Sequence, residues 1–232
     1  MIKGVDYTNL LTSGQFATAD IKANNLPIAG KKYFVFGTAN FKSENPIPNV
    51  FEESNYQHVD NVEEADFIYC GIPQLTNHDG TKRDSVALSD FVSSVKELVV
   101  SGKTLLCVNP DKRANEGGRF VVRQGSIAEL YEKLGGKVVY YGKPDPRIFE
   151  ALINRYCPNV PKSRIVMIGD TCQTDILGAH LTGIDAILTI EGGITEYQME
   201  TSHMSLEEYL ATLPEKAYPD QIWQRVSPKP LF

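Results

Sequence analysis

Short apolar runs alternate with segments of helical periodicity along nearly the whole chain. The runs KKYFVFG (31–37), ADFIYCG (65–71), TLLCVNPD (104–111), KVVYYGKPD (137–145), RIVMIGD (164–170) and DAILTI (185–190) are rich in β-branched or aromatic residues. Several end in Gly, Asn or Asp, as strands closed by turns do. Between them DSVALSDFVSSVKELVVSG, GSIAELYEKLGG, PRIFEALINRYCP and TDILGAHLTG read as helices, the first with Asp84 near its start and Gly102 after its end. Such alternation predicts an α/β fold in which helices cover a parallel sheet. The tail DQIWQRVSPKPLF, with Trp223, is expected to add a last strand.

The strand ends differ in what they deliver. The runs ending near Lys143 and Asp170 place charged groups at carboxyl ends of strands, where open α/β sheets bind ligands. The runs from Lys31 to Pro110 deliver few such groups and read as a separate α/β module, a cap or lid inserted before Lys143.

Composition narrows the chemistry. A net charge of −6 and a pI near 5.3 argue against a nucleic-acid or anionic-membrane partner, because phosphates would be repelled. The first residues lack the apolar stretch of a signal peptide, and no apolar run approaches the ~20 residues that span a bilayer, so a cytoplasmic location is expected. Cys70, Cys107, Cys157 and Cys172 form no CxxC pair and read as structural thiols. His58, His78, His180 and His203 form no HxxxH or HExxH pair, which leaves zinc little support.

In GKPDPRIFEAL, Lys143 follows a strand and precedes a helix with Pro144 and Pro146 at its start. Its ammonium there suits a phosphate or a solvated turn equally well. In GDTCQTDILGAHLTG, Gly169 lets the backbone approach closely, Asp170 leaves the strand end and Asp175 opens the next helix, near its positive dipole end. Magnesium takes one or two protein carboxylates plus waters and phosphate oxygens, which this pair can serve, although Asp175 also reads as a first-turn charge. The whole pattern of strand, GKP, helix, strand, GDxxxxD and helix is harder to obtain by chance than either half.

These residues, with CVNPDKRANEGG, GSIAELYEKLGG and VMIGDTCQTDILGAHLTGIDAILTIEGG, resemble the haloacid dehalogenase (HAD) superfamily. The resemblance is to its subclass with a C2-type α/β cap, which includes NagD-like sugar and nucleotide phosphatases, and it extends from Leu11 onward. It implies a Rossmann-like core at 1–16 and 139–232 and a cap at 17–138. It further implies a magnesium-dependent phosphomonoesterase acting on a phosphorylated small molecule. Lys143 would neutralise phosphoryl charge, Asp170 would ligate magnesium and Asp175 would support the metal shell. Asn109 and Asp111, in VNPD, would contact the substrate's leaving group, or form only an Asn-Pro-Asp turn.

The resemblance also demands a DxD nucleophile at the end of the central strand and a Ser or Thr that holds phosphate. Attack by the first aspartate makes an aspartyl-phosphate. NHDGT (77–81) imitates the first but follows no apolar strand and carries Asn at the nucleophile position, so it reads as a polar turn. LLTSGQFATADI imitates the second, and Thr12 and Ser13 read as a helix cap. No nucleophile is therefore assigned. Residue 1 is expected to fall just after the second core strand, with two βα units, about 60 residues, absent, and the chain to be inactive or nearly so. The alternative is a non-catalytic binding or assembly module, with homo-oligomer formation through exposed strand edges left open.

Overall fold

The computed structural model describes residues 9–38 and 50–225. In chain order the main elements are α1 (Ser13–Lys22), β1 (Lys32–Phe36), β2 (Gln57–His58), β3 (Phe67–Cys70), β4 (Leu75–Thr76), β5 (Lys82–Arg83), α2 (Val92–Val100), β6 (Thr104–Cys107), β7 (Arg113–Glu116), β8 (Arg119–Val122), α3 (Gln124–Lys133) and β9 (Lys137–Tyr140). They continue with α4 (Pro146–Tyr156), β10 (Val166–Gly169), α5 (Leu177–Thr182), β11 (Asp185–Thr189), α6 (Ile194–Ser202), α7 (Leu206–Ala211) and β12 (Gln221–Trp223). The chain divides into two compact units, one through Gly142 and one from Lys143. The first eight residues of the segment 1–16 expected in the core lie outside the described residues.

The first unit is built on a parallel sheet of order β2-β1-β3-β6-β9. All four residues of β3 are buried, as the continuous apolar run predicts for a strand covered on both faces. Alternation then sorts the side chains. Ile68, Cys70, Leu105 and Cys107 pack with Val95 and Leu98 of α2 and Ile127, Ala128 and Tyr131 of α3. Phe67, Tyr69 and Leu106 face the other way, with Ala17 and Ile21 of α1 and with Tyr33, Phe51 and Tyr141. Burial pushes the Cys107 thiol up to about 12, as befits a packed, unreactive sulfur.

Thr12 caps α1 and forms a reciprocal capping box with Gln15. NHDGT joins the antiparallel strands β4 and β5 as an exposed turn, in which Asp79 accepts from the Thr81 amide and hydroxyl. The strand Lys137–Tyr140 belongs to this unit's sheet, and the residues that follow it, Tyr141 and Gly142, pack here as well.

The second unit carries a parallel three-stranded sheet of order β10-β11-β12. Trp223 lies in β12, the strand expected from the tail. In β11, Ala186, Ile187 and Leu188 are buried. β10 pairs with β11 along one edge, and among the described residues no strand pairs with the other. Val166 and Ile168, on one face of β10, remain 47% and 44% exposed. Among the described residues no helix is long and apolar enough to cross a membrane.

Candidate functional site

Lys143 is the first residue of the second unit, and the chain behind it is pinned. The Asp145 carboxylate accepts the Arg147 N–H at 2.9 Å and caps α4, and Pro146 takes the first helical position. Partial burial opposes ionisation of Asp145, yet the Arg147 side chain and amide hold its carboxyl below the usual range. Gly178 of α5 then permits close packing on α4, since a Cβ there would lie 2.4 Å from the Phe149 ring and 3.1 Å from Pro144 Cα. This contact fixes the approach of the Lys143 segment to the turn after β10.

That turn is residues Cys172–Ile176, a π-type turn that leads into α5. Asp175 lies within it and is 4% exposed, while Lys143 is 36% exposed; Lys143 Nζ donates to Asp175 Oδ1 at 2.5 Å. The other oxygen, Oδ2, accepts the backbone N–H groups of Asp170 at 3.1 Å and Thr171 at 3.2 Å. Gly169 makes this possible, because any Cβ would stand 2.4 Å from the Asp175 carboxyl carbon. One buried carboxylate therefore ties the strand end, the turn and the lysine together. Charge-assisted hydrogen bonds of this kind are the stronger ones.

Asp170 sits beside this network, half-buried. Its Oδ1 accepts from the Thr171 hydroxyl at 3.1 Å and its Oδ2 from the Ile194 amide at 2.9 Å. Among the described residues no Lys, Arg or His side chain pairs with it. The donors that orient this carboxylate are neutral, and lone pairs remain on its oxygens for a cation.

Among the described residues no three His, Cys, Asp or Glu side chains are grouped to hold a metal. The donors fit a largely hydrated magnesium held through one carboxylate, Asp170, with Asp175 already engaged by Lys143 and two amides. Cys172, beside Asp175, is a buried thiol raised to about 11 by burial and takes a weak hydrogen bond from the Thr195 hydroxyl at 3.8 Å, so it is no ready nucleophile.

The structure thus brings Lys143, Asp170 and Asp175 together at the carboxyl end of β10. Asn109 and Asp111 belong to the first unit. There Asn109 Oδ1 accepts the Asp111 amide at 3.2 Å and Asn109 Nδ2 donates to Gln124 at 3.3 Å, the contacts of an Asn-Pro-Asp turn. The segment 190–195 had no role assigned to it, although IEGG falls in the stretch that carries the resemblance. Its signal is the glycine pair Gly192-Gly193 between a strand and a helix, where Gly192 takes φ +76° and Gly193 N–H closes a turn on Ile190 O at 3.0 Å.

A parallel sheet with an acidic turn after one strand and a lysine held against that turn is an α/β arrangement suited to binding ions, and comparison with known proteins narrows it. Residues 140–215 match the HAD-hydrolase-like family model. The ribonucleotide monophosphatase NagD of Escherichia coli K12 is 30% identical over 104 residues, 44% of this chain and 40% of NagD. The dihydroxyacetone phosphatase of Corynebacterium glutamicum is 27% identical over 108 residues, 46% of this chain and 38% of that protein. A haloacid dehalogenase-like hydrolase from Brucella suis 1330 superposes with a TM-score of 0.65 at 25% identity, covering 83% of this chain and 68% of the other. The chain is thus similar to HAD-like hydrolases, NagD among them. Its matches span less than half the length of these two curated relatives.

Proposed function

We propose that the unit from Lys143 is part of a HAD-type phosphatase core whose strand end binds a phosphomonoester with magnesium. The α/β unit before it is proposed as the C2-type cap. The observation that carries this reading is the ion pair of Lys143 with the buried Asp175 next to Asp170, a carboxylate oriented by neutral donors.

Asp170 is the magnesium ligand, Lys143 the cation facing the phosphoryl group, and Asp175 the anchor that fixes both. Magnesium, when bound, supplies neutralisation of phosphoryl charge. Lys143 shares that task and places a donor at the same strand end. Asn109 and Asp111 are proposed to meet the leaving group, on the resemblance alone. The relatives act on a ribonucleotide monophosphate and on dihydroxyacetone phosphate by their names, which supports a small phosphorylated substrate here.

Hydrolysis through an aspartyl-phosphate needs an attacking carboxylate at the neighbouring strand end. The 232 residues contain no DxD, and NHDGT lies in an exposed hairpin turn. We therefore propose that these residues bind but do not turn over. An aryl phosphate with magnesium is expected to hydrolyse at the buffer rate. A magnesium-dependent rate that vanishes in Asp170→Ala would overturn the missing-nucleophile part of the reading. Inorganic phosphate is expected to bind in the presence of magnesium and to be lost in Lys143→Ala; no binding by the unsubstituted chain would overturn the half-site itself.

A further inference from the structure

The residue that ligates a cation is only as good as its orientation, and two backbone amides from a distant segment set the orientation of Asp170. Ile194 N–H donates to Asp170 Oδ2 at 2.9 Å, and Thr195 N–H donates to Asp170 main-chain O at 3.0 Å. Both donors belong to the first two residues of α6, a nine-residue helix whose N-cap is Gly193. Amides at a helix start have no partner within the helix, so using them on a carboxylate strands none of them. The helix dipole adds to the attraction.

Gly193 is required by space and not by conformation. Its φ of −92° and ψ of 172° are open to any residue. A Cβ there would nevertheless stand 2.7 Å from Asp170 Cβ and 3.2 Å from Asp170 Oδ2. Gly192, at φ +76°, turns the chain back toward Asp170, and its N–H is held by Glu196 Oε2 at 2.7 Å. The side chain and the main chain of Asp170 are thus gripped by one segment that contributes no charged group of its own to the site.

We propose that Gly193 and the Ile194 amide are positioning groups for magnesium, holding the Asp170 carboxylate in the rotamer that presents its free lone pairs to the ion. The proposal rests on the reading of Asp170 as the ligand. Groups that orient a ligand typically account for ten- to a hundred-fold in metal affinity, about the size expected here.

The test separates the amide from the side chain. Ile194→Pro removes the N–H and sets a ring carbon in its place, at the first helical position where proline is favoured, and Gly193 before it already has the extended backbone that proline demands. Ile194→Ala keeps the N–H. Magnesium would be titrated calorimetrically into the 232-residue chain, alongside a thermal melt of each variant. Ile194→Ala is expected to bind like the parent, Ile194→Pro about tenfold or more weakly with its melt largely kept, and Asp170→Asn not at all.

Parent-like binding by Ile194→Pro, with Asp170→Asn still dead, would overturn the inference and leave the ligand reading standing. Binding that survives in Asp170→Asn would overturn the ligand reading instead. Should Ile194→Pro fail to fold, Gly193→Ala decides: it retains the amide but crowds Asp170, and unchanged affinity there counts against the proposal.

Discussion

The two units differ most at the strand that matters to each. In the first, β3 is covered on both faces and flanked by strands on both edges, so all four of its side chains are buried. In the second, β10 carries the candidate chemistry at its end yet among the described residues is paired along only one edge, with Val166 and Ile168 half exposed. Packing therefore dominates the first unit. Polar contacts, chiefly those of Asp170 and Asp175, do much of the organising around the site in the second. Core burial and functional geometry have been separated along the chain.

The largest effect should come from the first unit's core. Ile68→Ala, at a fully buried position, is expected to cost about 2–5 kcal/mol from lost transfer energy plus the cavity left behind. The single tryptophan, Trp223, lies in the second unit, so its fluorescence reports that unit while far-UV circular dichroism reports both. Denaturant unfolding of Ile68→Ala should lower the dichroism midpoint more than the fluorescence midpoint. Equal shifts would mean that the two units unfold as one, and the contrast would fail.

In the second unit the counterpart is Asp175→Ala. It removes a buried acceptor from Lys143 and from two amides, and about 2–3 kcal/mol of destabilisation is expected, read on Trp223. A cost below about 0.5 kcal/mol, the size of an ordinary surface substitution, would show that the carboxylate does not organise the turn. The edge strand should respond far less. Ile168→Lys is expected to change stability by about 1 kcal/mol or less. It should also reduce any concentration-dependent association seen by light scattering, since a charge on an open edge discourages strand pairing.

Much of this architecture was legible because buried parallel strands announce themselves as apolar runs. ADFIYCG, RIVMIGD and DAILTI each contain a strand where expected. The grouping of Lys143, Asp170 and Asp175 was legible too, since strand ends and helix starts fix those positions through local sequence. The turn at Cys172–Ile176 was not. A helix was expected from Thr174, but Asp175 turns its carboxylate back onto the amides of 170 and 171, and α5 begins at Leu177. The clasp on Asp170 was hidden for a different reason: Ile194 is 24 positions away, and nothing in local periodicity marks a backbone donor. The hairpin β7–β8 escaped because Arg113–Glu116 is polar, its strand character set by pairing rather than by composition.

The smallest effect concerns a device that both units share. Asp66 accepts the N–H groups of Lys31 and Lys32 at 2.7 and 2.8 Å at the start of β1, and Asp220 accepts that of Ala186 at 2.7 Å near the start of β11. Asp220 also meets His180 Nε2 at 2.8 Å, while His180 Nδ1 meets Lys216 O at 2.8 Å. The hydrogen bond with His180, and then that from Ala186, hold the Asp220 carboxyl below its usual range. A carboxyl depressed by folding stabilises the native state above its unfolded pKa of about 3.9, and the contribution is lost as pH falls through the lower folded value. Because Asp220 is exposed, the effect should stay below about 1 kcal/mol. The difference in Trp223 unfolding midpoint between the parent and Asp220→Asn should therefore be present at pH 5 and shrink below about pH 4. Asp66 and the other carboxylates of the first unit titrate in both proteins and cancel. A difference that persists undiminished to pH 3 would mean that Asp220 holds β11 through shape rather than charge.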